Sequence, residues 1–172
     1  MVFPKNFCIS TYKVFVSLRR SFKSERWKFI EDTLAEYGLV AISTDDSAES
    51  SITERVIEDM KKSAACIQIY SIGRDSVNKM TENDRYFSTD LLNAEWLLFE
   101  AGITRGLDLK PLIRMVDTTH VSKYNWEKCL RIQRDAFLQT FQTYSVSTEG
   151  DHFCNVFRKV VAEIAGKVHK NQ

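Results

Sequence analysis

Glycine and proline are scarce. There are six and two of them in 172 residues, well below the roughly 12% that ordinary chains devote to the pair. This excludes collagen-like, linker-rich and low-complexity disordered chains. An excess of one charge is also missing: 24 Lys and Arg face 23 Asp and Glu, for a net charge of +1. A chain that worked by neutralising phosphates would carry a large basic surplus, so nucleic acid is not an expected partner. A Lys/Arg-driven role at a membrane surface has no better support. No run approaches the ~18 apolar residues of a spanning helix. The most apolar stretches, Ala64–Tyr70 and Trp96–Ile103, are short, and each holds a polar residue. Met1–Ser10 lacks the apolar core and small-residue cleavage site of a secretory signal. Cys8, Cys66, Cys129 and Cys154 form no Cys-x-x-Cys pair, and with His120, His152 and His169 they show no zinc spacing. Reduced thiols in a cytoplasm are the expectation. Cys66, inside an apolar run, reads as a small core residue.

What is present is the composition of a globular protein, 44% apolar and 27% charged. The length fits one domain over residues 1–172. Strand-like and helix-like segments alternate. Tyr12–Ser17 is β-branched and aromatic, a first strand. Ser24 is placed to cap a helix over Glu25–Tyr37, with Trp27, Ile30, Leu34 and Tyr37 on one face and Gly38 at its end. Leu39–Thr44 reads as a second strand, followed by an acidic loop, Asp45–Ser50. Ser51-Ile-Thr-Glu54 is a capping box that opens a helix carrying Ile52, Val56 and Met60, with Lys61 and Lys62 in its last turn. Ala65–Ser71 is apolar on both faces, as a central parallel strand is. A polar loop, Gly73–Ser88, precedes a helix over Asn93–Arg105 that stops at Gly106. Lys110–Val116 is a fourth strand with Pro111 at its start. Trp126–Phe137 reads as helix, Thr140–Val146 as a fifth strand, and His152–Val168, capped by Asp151, as a closing helix. The alternation predicts an α/β fold: a five-stranded parallel sheet in the order 2-1-3-4-5, flanked by helices.

In such a sheet, ligands bind beyond the carboxyl ends of the strands where the strand order reverses, here between the first and third. The rim is Leu18–Phe22 together with the segment after Ser71, bordered by Asp45-Asp46-Ser47. No Gly-x-Gly-x-x-Gly and no Gly-x-x-x-x-Gly-Lys-Ser/Thr occurs, which argues against a Rossmann dehydrogenase or a P-loop hydrolase. The informative segment is Asn93–Gly106. At ~100° per residue, Glu95 and Arg105 share an outer strip. Glu100 falls away from both, with Trp96, Leu97, Ile103 and Thr104 one turn away. An acid in that position is costly to ionise unless something binds it. A structural Glu with a basic partner, or one at the wet edge of the fold, is the alternative to a functional one.

Tyr12–Ser17, the helix and strand over Ser51–Ser71, and Trp96-x-x-x-Glu100-Ala-Gly followed by Lys110-Pro-Leu-Ile together resemble the TIR domain. The likeness spans about Tyr12–Val116, with a looser fit through Val168. Nucleoside deoxyribosyltransferases carry a similar Glu-Leu-Gly helix. The Gly73–Ser88 loop and the Thr118–Phe137 segment depart from the common TIR pattern.

The resemblance implies a flavodoxin-like TIR fold. It implies a NAD+ glycohydrolase or ADP-ribosyl cyclase that needs no cofactor beyond NAD+ as substrate. Glu100 would be the catalytic carboxylate. Phe15 and Ser17 match pocket positions, Ser71 lies at the rim, and Trp96 would offer its face or edge to the ligand unless it is simply core. Arg19 and Arg20 would grip the pyrophosphate or form a solvated charge pair. Asp46 and Ser47 match the loop that gates the pocket and mediates assembly, or form a plain acidic turn. Free-standing TIR proteins of this size resemble those of bacterial antiphage defence, which implies self-association and a downstream effector protein that senses the product. A non-catalytic TIR interaction module and a deoxyribosyltransferase-like enzyme are the alternatives.

Overall fold

A computed structural model describes residues 12–18, 20–43, 52–71, 99–100, 102–108, 111–119 and 142–170. Five strands form one all-parallel sheet: β1 Tyr12–Leu18, β2 Leu39–Ile42, β3 Ala65–Tyr70, β4 Leu112–Asp117 and β5 Gln142–Val146. Their order is β2-β1-β3-β4-β5, a flavodoxin-like arrangement. Helices α1 (Arg20–Glu36), α2 (Ile52–Lys61) and α3 (His152–Lys170) flank it. β3 holds the centre, and all six of its residues are buried, as its composition leads one to expect.

Each face of the sheet has its own core. On one face, Val14, Val16, Ile67, Ile69, Ile113 and Met115 meet Ile30 and Leu34 of α1 and the apolar stripe of α3. That stripe includes Phe153 and Phe157, whose rings stack 5.7 Å apart. Phe29 of α1 approaches Phe157 at 5.8 Å. On the other face, Phe15, Cys66 and Leu112 meet Val56 and Met60 of α2, with Ile103 and Leu107 packed alongside.

Both ends of α1 differ from the sequence expectation. α1 begins at Arg20, so Ser24 lies inside it, exposed, rather than at its start. No Gly or Pro interrupts Arg20–Glu36, so no breaker halts the helix between Ser24 and Arg20. Tyr37 falls in the turn beyond the helix and is exposed rather than part of its buried stripe. Gly38 does close α1, at φ 71°. The amides of Tyr37 and Gly38 donate to the carbonyls of Leu34 and Ala35. Helical residues run through Gly106, and Asp108, at φ 51°, takes the left-handed position. Asp tolerates that region better than most side chains do. The expected helix at Trp126–Phe137 and loop at Gly73–Ser88 lie outside the described residues.

The carboxyl ends of β4 and β5 are tied by a short network. The Thr119 hydroxyl donates to Asp117 Oδ1 at 2.5 Å and accepts from the Thr148 amide at 2.7 Å. The Thr118 amide donates to the Val146 carbonyl at 2.7 Å. This fixes one flank of the end where a ligand would sit.

Phe157 anchors the α1–α3 side, fully buried between Phe29 and Phe153. Phe157→Ala is expected to destabilise the fold by about 3–5 kcal/mol, measured by urea unfolding. A loss below about 1 kcal/mol would mean that the ring is not packed as described.

Candidate active site

The pleat and the register build the site. Along a strand, every second side chain faces the same way. On the face covered by α2, Phe15, Cys66 and Leu112 form an apolar row across β1, β3 and β4. Two residues further along each strand the next row is polar: Ser17 sits beside Gln68, and Gln68 beside Arg114. Tyr70 and Val116 follow. Because all strands run in one direction, the polar row lies on the carboxyl side of the apolar one. That is the side on which open α/β sheets bind ligands, and Ser17 and Gln68 straddle the β1/β3 reversal point.

Glu100 reaches this row from the helical residues at 99–100 and 102–106. Ile103 and Leu107 of that segment pack with the apolar row. The Leu107 amide donates to the Ile103 carbonyl at 2.9 Å before the chain turns at Asp108 and enters β4. One turn back from Ile103 is ~5 Å toward the carboxyl end, close to the ~6.6 Å between successive rows of a strand. Glu100 therefore arrives at the polar row. Its side chain is 3% exposed, and the Ser17 hydroxyl donates to its Oε2. Thr104 is buried on the same segment, and Arg105 is exposed, as the helical projection predicts.

The rest of the row is electrostatically coupled. The Arg114 guanidinium lies 5.1 Å from the centroid of the Tyr70 ring. The Tyr70 hydroxyl donates to Gln68 Oε1 at 3.4 Å. Burial pushes the Tyr70 phenol up to about 12; Arg114 opposes the shift and Glu100 adds to it. Burial also raises the Cys66 thiol well above its ordinary value, again with Glu100 adding and Arg114 opposing. Burial lowers Arg114, and the neighbouring Tyr70 counters that.

Of the residues singled out from sequence, the structure joins two directly, Ser17 and Glu100. Phe15 lies one row deeper as part of the apolar floor. Ser71 follows the last residue of β3, half-buried. Arg20 is the first residue of α1. Arg19, Asp46, Ser47 and Trp96 lie outside the described residues. Sequence reasoning missed Gln68, Tyr70 and Arg114. Each was visible as a lone polar or charged residue in a run too apolar to be a surface strand, and a buried Arg is rare unless paired. Among the described residues, no cluster of three or more His, Cys, Asp or Glu could hold a metal ion, and no helix is long and apolar enough to cross a membrane. No protein-family model matches the chain, and no curated protein matches it.

The Tyr70 environment predicts a pH effect. The unfolded phenol ionises near pH 10, whereas the folded one holds its proton to about 12. The stability it contributes is whole below pH 10 and is lost as pH rises toward 12. Across that window the unmutated protein is expected to lose about 2 kcal/mol more than Tyr70→Phe does. Urea unfolding at stepped alkaline pH measures this; parallel losses in the two proteins would contradict it.

Proposed function

We propose that the chain is a NAD-cleaving enzyme of the TIR kind, with Glu100 as its catalytic carboxylate. One observation carries this reading: a buried glutamate, hydrogen-bonded by Ser17, at the carboxyl ends of β1 and β3. The TIR resemblance of the sequence supports it.

The chemistry asks little of the protein. The bond from ribose to nicotinamide breaks with its electron pair going to the pyridinium nitrogen. Nicotinamide therefore leaves neutral, with no general acid. Positive charge builds on the ribose as an oxocarbenium ion. A carboxylate beneath the ring stabilises that charge and holds the ribose hydroxyls. The Ser17 hydroxyl fixes the direction of the Glu100 carboxylate, and exclusion of water strengthens its field. Attack by water gives ADP-ribose and a proton. Attack by an adenine nitrogen gives a cyclic product and a proton.

In this reading Phe15 and Ser71 shape the floor and rim, and Trp96 contacts the ligand. Arg19 takes the pyrophosphate. Asp46 and Ser47 border the entrance and contribute to self-association. The product serves as a signal to an effector protein, or NAD is depleted, in bacterial antiphage immunity.

Glu100→Gln keeps the volume and the capacity to hydrogen-bond. It is expected to fold, as judged by circular dichroism, and to lose NAD turnover by a factor of roughly 10² or more. Glu95→Gln, which the helical projection of the sequence sets apart from Glu100, is expected to cost little. Unchanged turnover in Glu100→Gln would remove Glu100 from the chemistry. No cleavage by the unmutated protein at any concentration would favour a non-catalytic interaction module, and exchange between deoxynucleosides would favour a deoxyribosyltransferase.

Self-association makes a separate prediction. Specific activity is expected to rise with protein concentration. Constant specific activity over a wide dilution range would count against assembly at the site.

A further inference from the structure

We propose that Tyr70 positions the polar row, its ring seating the Arg114 guanidinium and its hydroxyl holding the Gln68 amide beside Ser17. The bearing of this role on turnover rests on the reading of Glu100 as the catalytic carboxylate.

Strand register brings the group together. On the α2 face, Ser17, Gln68 and Arg114 lie side by side on β1, β3 and β4, and Tyr70 follows Gln68 one step toward the carboxyl end. Arg114 is therefore the diagonal neighbour of Tyr70, one strand over and one step back, roughly 8 Å away at the backbone. An aromatic ring and a long side chain span such a diagonal. They do so here, with the guanidinium 5.1 Å from the ring centroid. Along its own strand the phenol reaches back as well, and its hydroxyl donates to Gln68 Oε1 at 3.4 Å.

Burial gives these two contacts their weight. Tyr70 and Arg114 are each 1% exposed, and Gln68 is fully buried. A cation on a ring face is held more firmly when both are out of water. A hydrogen bond inside the protein is likewise stronger than one in solvent. Gln68 also flanks Ser17, its register partner on the same face, ~4.8 Å away at the backbone. Ser17 in turn donates to Glu100. Tyr70 thus touches two members of the row, and the row passes that order to the hydroxyl that aims the carboxylate. The charges agree with this proximity: Arg114 lowers the Tyr70 phenol, Glu100 raises it, and Tyr70 in return raises Arg114.

Two substitutions separate the ring from the hydroxyl, and nitrogen NMR spectra read both without any activity. In Tyr70→Phe the ring stays, so the Arg114 Nε–H signal is expected to keep its place while the Gln68 side-chain amide signals move. In Tyr70→Leu the ring is lost as well. The Arg114 proton is then expected to move downfield, out of the shielding over the ring face, while the backbone amides of β5 and α3 hold still. An Arg114 signal indifferent to Tyr70→Leu, or Gln68 signals indifferent to Tyr70→Phe, would overturn the proposal. Should Tyr70→Leu fail to fold, fluorinated phenylalanines at position 70 take its place, because they keep the shape and drain the negative face of the ring. A stepwise fall in Tm with added fluorine supports the seat, and no trend overturns it.

The second test is NAD turnover by the folded variants. Tyr70→Leu is expected to lower kcat by roughly tenfold or more, since small misplacements at a site are costly, with KM changed less. Tyr70→Phe, which keeps the ring, is expected to lose less. A kcat in Tyr70→Leu equal to that of the unmutated protein would overturn the positioning role. If the unmutated protein cleaves no NAD, the functional reading fails, while the spectra still decide whether Tyr70 positions the row.

Discussion

A carboxyl group taken from water into the interior of a parallel sheet costs several kcal/mol unless polar partners receive it. Glu100 sits in that position, and the rest of the architecture follows from it. The sheet divides its labour by face. The side under α1 and α3 is apolar and supplies most of the packing through Ile30, Leu34, Phe153 and Phe157. The side under α2 is apolar only in its lower row. Its upper row carries Ser17, Gln68 and Arg114, and Ser17 donates to the buried acid Glu100.

The same constraint places the helical residues at 99–100 and 102–106. Ile103 and Leu107 dock into the lower row and set the height of the segment. Glu100 is then delivered one turn higher, at the level of Ser17. The left-handed turn at Asp108 ends the segment and sends the chain into β4. The strand that receives the chain there is the one that carries Arg114, so one short connection links the acid and the cation.

Much of this was legible in the residues. Alternating strand and helix patterns give the sheet order, and the uninterrupted apolar run of β3 marks it as central. The helical projection places Glu100 away from the Arg105 strip, and the structure buries one and exposes the other. Ends of elements were less legible. α1 starts at Arg20, a turn before the position that local propensity at Ser24 points to. The polar row was the least legible part. Ser17, Gln68 and Arg114 are separated by about fifty residues at each step and become neighbours only through strand register. Register is a property of the assembled sheet, so no local window shows it. The available signal was the chemical oddity of an Arg inside Leu-Ile-Arg-Met-Val.

The central claim is that the buried carboxylate at position 100 is where the nicotinamide ribose sits. A crystal structure of Glu100→Gln with NAD+ tests it most directly, because the substitution keeps the shape of the site while leaving the substrate uncleaved. The account predicts intact NAD+ over the carboxyl ends of β1 and β3, with its nicotinamide-ribose hydroxyls within hydrogen-bond distance of Gln at position 100 and close to Ser17. NAD+ bound with that ribose elsewhere on the protein, or no binding at millimolar ligand, would contradict it.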